Sequence, residues 1–384
     1  QIHYLKVYFK FRVRKFMKLF KSLLVAPATL GLLAPIAATA NEVTISDFNP
    51  AEELAITNSR VDGLEARLNN VEAGSFSETT TASFGLDMYL GALDDDDSTD
   101  DDSVMAGYSL GISLNTSFTG EDSLDIAIDA GVSGEGVGEF DGNTNGDTLK
   151  VDGVSYTFPL GDKTTVIAGI DTDGSALFTT ACAYGGPSAM LDDCANVNAG
   201  ITGGGATVGA AYDFGTGLTA AFGAQTTESA VFTDESLDAY AFNTAYTGDN
   251  YGVSVTYGVV ETSSTNEDTY TAFNAYYLPE GSNLPSLSVG YEIGDIGGAA
   301  STVDEKTSFM VGLTWDEVGP GSAGVAVGHS NTVEGSDEAY QYEAYYSYPI
   351  NDGMTITPLI YSKDVATSGK DDSTGVMVKT SFSF

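Results

Sequence analysis

Few residues of this chain have the type and spacing to do chemistry. Its two histidines are His3 and His329, and His329 falls at a strand end with no Ser or Cys nucleophile beside it. It reads as a rim residue rather than a general base. The chain has 54 Asp+Glu against 15 Lys+Arg and a formal net charge of −39. No pair of these acids stands out as a hydrolytic acid and base. The runs 94–97 and 100–102 are aspartates without the spacing of an EF-hand, so they read as a solvated loop rather than a divalent-cation site. The two cysteines, Cys182 and Cys194, are 12 residues apart. In an exported chain this pattern predicts a disulfide, worth about 3 kcal/mol in a chain-entropy description. Nothing here predicts an enzyme, a cofactor or a bound metal, and the acidity excludes nucleic acid and anionic membrane surfaces as partners.

The elements that hold these residues begin with a leader. Met17-Lys18-Leu19-Phe20-Lys21-Ser22 precedes an apolar run from Leu23 to Ala37 and then Ala38-Thr39-Ala40 before Asn41. This is the charged, apolar and small-residue order of a secretory signal peptide, with cleavage expected between Ala40 and Asn41. Residues 1–16 read as an upstream extension. Residues 1–40 hold seven of the basic side chains and none of the acids, so their removal makes the remainder more acidic still. No later segment is apolar for the about 18 residues that suggest a membrane-spanning helix.

Residues 41–74 carry a short helical pattern. Asn49 and Pro50 suit the cap and first turn, Glu52 and Glu53 follow, and Leu54, Thr57, Val61, Leu64, Leu68 and Val71 keep a heptad spacing up to Gly74. One helix of this length is marginal in water. Val61, Leu64, Leu68 and Val71 are therefore either the seam of a three-copy coiled coil or part of a loosely ordered tether.

From residue 75 onward the period becomes 2. Sixteen alternating segments are expected near 81–92, 104–118, 123–133, 148–159, 163–170, 199–213, 218–227, 237–247, 251–260, 269–278, 286–294, 307–316, 323–330, 338–348, 354–362 and 374–384. The connections alternate between tight turns, such as 119–122 and 247–250, and longer acidic loops, such as 134–147 and 171–198. That alternation, and the aromatics Phe118, Phe158, Tyr246, Trp315, Tyr348 and Phe384 near the ends of even-numbered strands, predict an all-β transmembrane antiparallel barrel of about 16 strands. The aromatics would form its interfacial girdle. Strand parity places Asp87, Asp125, Asp129, Lys150, Gln341, Glu343 and Lys379 on the lumenal side.

Arg60-Val61-Asp62-Gly63-Leu64-Glu65-Ala66-Arg67-Leu68, the switch to strands, the segment Val154-Ser155-Tyr156-Thr157-Phe158-Pro159-Leu160-Gly161-Asp162 and the closing strand resemble the outer-membrane porins of marine cyanobacteria, relatives of the carbohydrate-selective OprB-type porins. The resemblance implies a signal peptide, a wall-gripping surface-layer-homology domain, a coiled coil and a 16-stranded barrel, assembled as a trimer. Only residues 41–53 lie where the wall-binding domain would be, so cell-wall anchoring is not expected. That shortened form would suit a phage-borne or streamlined version. The third outer loop of general porins folds into the lumen, which implies a constriction here carrying Asp171, Asp173, Asp192 and Asp193. The expected function is passive diffusion of ions and small polar solutes across the outer membrane, favouring cations. The alternatives are a carbohydrate-selective channel, which would want aromatics along the lumen, and a non-conducting acidic surface or adhesion protein, for which no Gly-Gly-x-Gly-x-Asp repeat is present.

Overall fold

The computed structural model describes residues 80–94, 104–132, 146–231, 233, 236–281, 283–297, 304–364 and 372–384. Within them the backbone forms β1 (Thr80–Asp94), β2 (Met105–Thr116), β3 (Ser123–Val132), β4 (Lys150–Pro159), β5 (Thr164–Ile170), β6 (Ala206–Asp213), β7 (Leu218–Thr226), β8 (Asp238–Thr247), β9 (Tyr251–Ser263), β10 (Asn266–Tyr277), β11 (Ser286–Asp295), β12 (Glu305–Val318), β13 (Gly321–Val333), β14 (Gln341–Asn351), β15 (Met354–Lys363) and β16 (Ser373–Ser383). Each strand pairs antiparallel with its sequence neighbours, and β16 pairs with β1, so the sheet closes into a 16-stranded barrel. The leader, its cleavage site at Ala40 and Asn41, and the helical seam Val61, Leu64, Leu68 and Val71 lie outside the described residues.

The β1–β16 seam runs over ten register pairs, from Gly85 opposite Ser383 to Asp94 opposite Thr374, and continues to Phe384. The Phe84 amide donates to the Phe384 carbonyl at 2.9 Å, the Phe384 amide donates back at 3.1 Å, and the two rings stack with centroids 5.6 Å apart. These bonds leave no open strand edge at that point.

The two faces of the sheet are inverted relative to a soluble protein. The register aligns Phe222, Phe242 and Tyr257 in one row across β7, β8 and β9, and these aromatics are 46–50% exposed on the outside. The next row, Ala221, Asn243, Thr256 and Ala272, points inward and is at most 4% exposed. In water, a continuous apolar outer band would be a large aggregation-prone patch. In a bilayer, it is the surface that faces hydrocarbon.

Strand boundaries depart from the sequence reading in several places, β14 among them, which runs Gln341–Asn351 rather than near 338–348. β6 begins at Ala206 rather than near 199, because Ile201, Gly204 and Gly205 take positive φ (43°, 68° and 147°) and turn the chain inward. β9 and β10 run on to Ser263 and back from Asn266, so the loop expected over 261–268 shrinks to two residues; Val259, Val260 and Thr262 favour extended pairing. β13 likewise continues to Val333.

The connections after even-numbered strands gather at one end of the barrel and are mostly tight, and those after odd-numbered strands gather at the other and, the two-residue β9–β10 turn apart, are mostly longer. The β2–β3 turn shows how a tight one is held. One Asp122 oxygen accepts from the Phe118 and Thr119 amides at 2.9 and 2.7 Å and from the Ser117 and Thr119 hydroxyls, both at 2.8 Å, while the other accepts the Tyr156 hydroxyl at 2.6 Å. The Tyr156 bond, with these others, holds the Asp122 carboxyl well below the usual carboxylate range. Because the folded-state pKa lies below the unfolded one, the stabilisation is complete above about pH 4 and fades as acid is added. Asp122→Asn should therefore lower the unfolding temperature in detergent at neutral pH, with a gap that narrows below about pH 3. A gap that stays constant with pH would assign the loss to geometry alone.

Candidate functional site: the lumenal loop and the opposing wall

The longest described connection, residues 171–205 between β5 and β6, does not stay at the barrel end. Its amides bond to inward-facing side chains of β7, β8, β9 and β11, and two of its hydroxyls reach β14, so the segment spans eight of the sixteen strands. Gly174 donates to Gln225 Oε1 at 3.0 Å, Thr179 to Asn243 Oδ1 at 3.1 Å, Ala181 to Ser254 Oγ at 2.9 Å, and Ala183 and Tyr184 to Ser288 Oγ at 2.8 and 2.9 Å. The Tyr184 and Ser188 hydroxyls both donate to Glu343 on β14. A single segment reaches the same face of β7, β8, β9, β11 and β14 only from inside the cylinder.

The wall is shaped to receive it. A Cβ on Gly290 would stand 1.8 Å from the Cys194 carbonyl, and one on Gly223 would stand 1.9 Å from the Gly174 carbonyl, so both positions must be glycine for the loop backbone to lie flat. The return arm is caught by Asn274, whose Nδ2 donates to the Cys194 carbonyl at 2.7 Å, and by Glu292. Glu292 is 1% exposed and accepts three bonds: from the Asn198 and Ala199 amides at 2.8 Å each, and from Asn198 Nδ2 at 2.7 Å. The apolar core of the molecule is this contact between loop and wall, where Tyr184, Met190 and Leu191 pack with Tyr89, Met310, Leu359, Tyr361 and Met377. Burial and the adjacent Glu343 push the Tyr184 phenol well above its ordinary pKa, so it stays protonated as the donor. Cys182 and Cys194 are bonded to each other, with Cα atoms 6.3 Å apart, and clamp the outgoing and returning arms together.

The residues singled out from sequence fall into three groups. Asp87 and Lys379 form an ion pair at 3.2 Å on the β1–β16 wall. A register shift between Ala127 and Ile128 brings Lys150 opposite Asp129. Asp125 has Asn115 and Ser155 opposite it and accepts from Asn115 Nδ2 and Ser123 Oγ, each at 2.6 Å. Glu343 and Gln341 point to the lumenal side of β14, but Glu343 is 4% exposed beneath the loop and acts as its anchor rather than meeting solvent. Asp171, Asp173, Asp192 and Asp193 are all exposed on the loop, which contains no Lys or Arg. Of the aromatics, Phe118, Phe158, Tyr246, Trp315, Tyr348 and Phe384 lie towards the tight-turn end of even-numbered strands, where ring contacts such as Tyr156–Phe158 at 5.5 Å and Tyr246–Tyr251 at 5.7 Å accumulate.

Sequence reasoning missed the anchors Gln225, Asn243, Asn274, Ser288 and Glu292. For Gln225, Asn243, Asn274 and Glu292 the signal was a large amide or acid on the small-residue parity of β7, β8, β10 and β11, and Ser288 carried none. It also missed two lumenal cations: Lys306, opposite Gly294 with its Nζ 6.0 Å from the Tyr270 ring centre, and Lys363, opposite Gln341. With these counted the wall is closer to balanced, and the excess of negative charge shifts to the loop.

Solved structures share this architecture. OprB of Pseudomonas putida superposes with a TM-score of 0.58 at 12% identity, over 80% of this chain and 94% of that one. The anion-selective porin of Comamonas acidovorans gives 0.60 at 15% identity, over 80% and 99%. A triple mutant of the Rhodopseudomonas blastica porin gives 0.51 at 12% identity, over 79% and 100%.

The barrel has the porin fold. At these identities the likeness is one of fold, and no family model matches the chain. In sequence, an uncharacterized protein of Nostoc sp. strain PCC 7120 is 24% identical over 90% of this chain and 74% of its own length. The porin fold accounts for the closed sheet, the apolar exterior and the polar interior, and leaves the sign and size of the pore to the residues of this chain.

Proposed function

We propose that this chain is an outer-membrane porin through which ions and small polar solutes diffuse passively, cations in preference to anions. The observation that carries the reading is an acid-bearing loop, free of basic residues, anchored inside a closed barrel whose outer face is apolar. Solutes pass between this loop and the wall of β2 to β4, where Asp125 has no lysine opposite it and Asp129 faces Lys150; on the neighbouring β1–β16 wall Asp87 is matched by Lys379. Charges lining a narrow passage act on every ion that traverses it, whereas charges on the outer loops are screened over about 8–10 Å at 0.1–0.15 M salt and over about 3 Å at 1 M. The aromatics at strand ends form the interfacial girdle. Residues 1–40 are the export leader, and the heptad of residues 54–71 joins three copies. Similarity to the Nostoc protein supports a cyanobacterial setting.

Carbohydrate selectivity is the weaker reading. Stacking a sugar needs exposed lumenal rings, and Tyr89, Tyr270 and Tyr361 on the wall and Tyr184 on the loop are all 2–5% exposed, buried where loop and wall meet.

The reading is tested by inserting the purified full chain into planar bilayers. The expected record is uniform conductance steps, each closing at high voltage through three equal sublevels. A chain that folds and inserts without conducting would contradict the pore, and closure in one step would contradict the trimer.

A further inference from the structure

The two arms of the lumenal loop line a half-open cavity of about 240 Å³ beside the Cys182–Cys194 bond. Its lining joins two carboxylates and an amide to the hydroxyl-bearing Ser175, Thr180 and Thr202. Asp192 and Asp193 bring exposed carboxylates to it, and Asn196 contributes a side chain that is 8% exposed. Asn196 Nδ2 is used on Thr180 Oγ1 at 3.2 Å, while its Oδ1 has no hydrogen-bond partner. A buried amide oxygen left unsatisfied is costly, and it marks a place where a donor belongs. The rings of Phe178 and Tyr184 form another part of the lining and present π faces and edges rather than further oxygen ligands.

From this we infer that the cavity is a binding site for a small primary ammonium solute, held transiently as it crosses the constriction. The inference rests on the proposed pore and specifies one class of solute for it. An alkylammonium group supplies the three N–H donors that Asn196 Oδ1 and the two carboxylates can accept, and its short hydrocarbon suits the rings, which also attract cations. A hard divalent cation fits less well. It asks for six or more oxygen ligands, typically with several carboxylates, and the described residues contain no cluster of three or more potential His, Cys, Asp or Glu ligands. The volume corresponds to about eight water molecules at roughly 30 Å³ each, enough for a four-carbon amine with some water retained.

The test is single-channel recording of the full chain in KCl, with n-butylammonium chloride added to one side. Current before the amine reports the pore itself. The expected result is a saturating reduction of that current. The half-effect concentration should rise about tenfold in the Asp192→Asn/Asp193→Asn double variant and fall in Asn196→Asp, which adds an anionic acceptor at the same place. Normal current with a reduction that does not saturate, or with a half-effect concentration unchanged by the double variant, overturns the site and leaves the pore standing. Magnesium chloride matching the amine at equal concentration overturns the ammonium assignment. A chain that passes no current overturns both.

Discussion

Replacing Glu292 with alanine is expected to raise single-channel conductance and its noise while strand content stays unchanged. Glu292 is the single acceptor for three donors on the return arm of the loop, and hydrogen bonds to a charged acceptor contribute about 1.5–3 kcal/mol each. Truncation leaves the Asn198 and Ala199 amides without a partner in a buried place, a cost the loop relieves by lifting away from the wall. The barrel itself closes without Glu292, because every strand pair is made by backbone bonds that this side chain does not touch. Glu292→Gln should fall between the two, since its amide keeps one acceptor but turns a donor toward donors. Bilayer recordings with circular dichroism on the same samples decide the matter, and an unchanged conductance in Glu292→Ala would mean that the return arm does not narrow the pore.

The second large effect is expected at the end of the chain. Removing Phe384 deletes both backbone bonds to Phe84 and the ring that stacks on it, at the seam where β16 meets β1. Every other seam in the barrel is sealed by a covalent turn at one end or the other, whereas this one is sealed by pairing alone. The yield of folded barrel on refolding into detergent should drop severalfold, and the product that does form should unfold at lower temperature. Phe384→Tyr keeps the backbone pair and the ring and should refold as the parent does. Equal yields for the deletion and the parent would show that closure does not depend on the terminal pair.

Much of this fold was legible in the sequence because barrel strands obey one rule that is local. Ala106, Tyr108, Leu110, Ile112 and Leu114 alternate with small and polar residues over a span of membrane-crossing length, and that alone identifies β2. The start of β6 was misplaced because Ala199, Ile201 and their neighbours mimic the same alternation. The glycines at 203–205 were the warning, and positive φ there is what turns the chain inward. The acids of the candidate site were visible as types, and their roles were not. Glu343 and Asp125 look alike on their strands, yet one is sealed beneath Tyr184 and Ser188 and the other stands on the facing wall, a distinction made by contacts 155–159 residues apart. The β-bulge that sets Lys150 opposite Asp129 is likewise a property of pairing.

The central claim is that the lumenal loop gives the pore its preference for cations, and the reversal potential under an asymmetric KCl gradient measures it directly. The wall offsets most of its own charge, through Asp87 with Lys379, Asp129 with Lys150, and the two further lumenal lysines Lys306 and Lys363. To Asp125 on the facing wall the loop adds Asp171, Asp173, Asp192 and Asp193, with no lysine or arginine of its own. The expected potential has the sign of a cation-selective pore and moves toward zero when Asp192 and Asp193 are both changed to asparagine. A potential of zero or of the opposite sign in the unaltered chain, or one that the double change leaves where it was, would contradict the account.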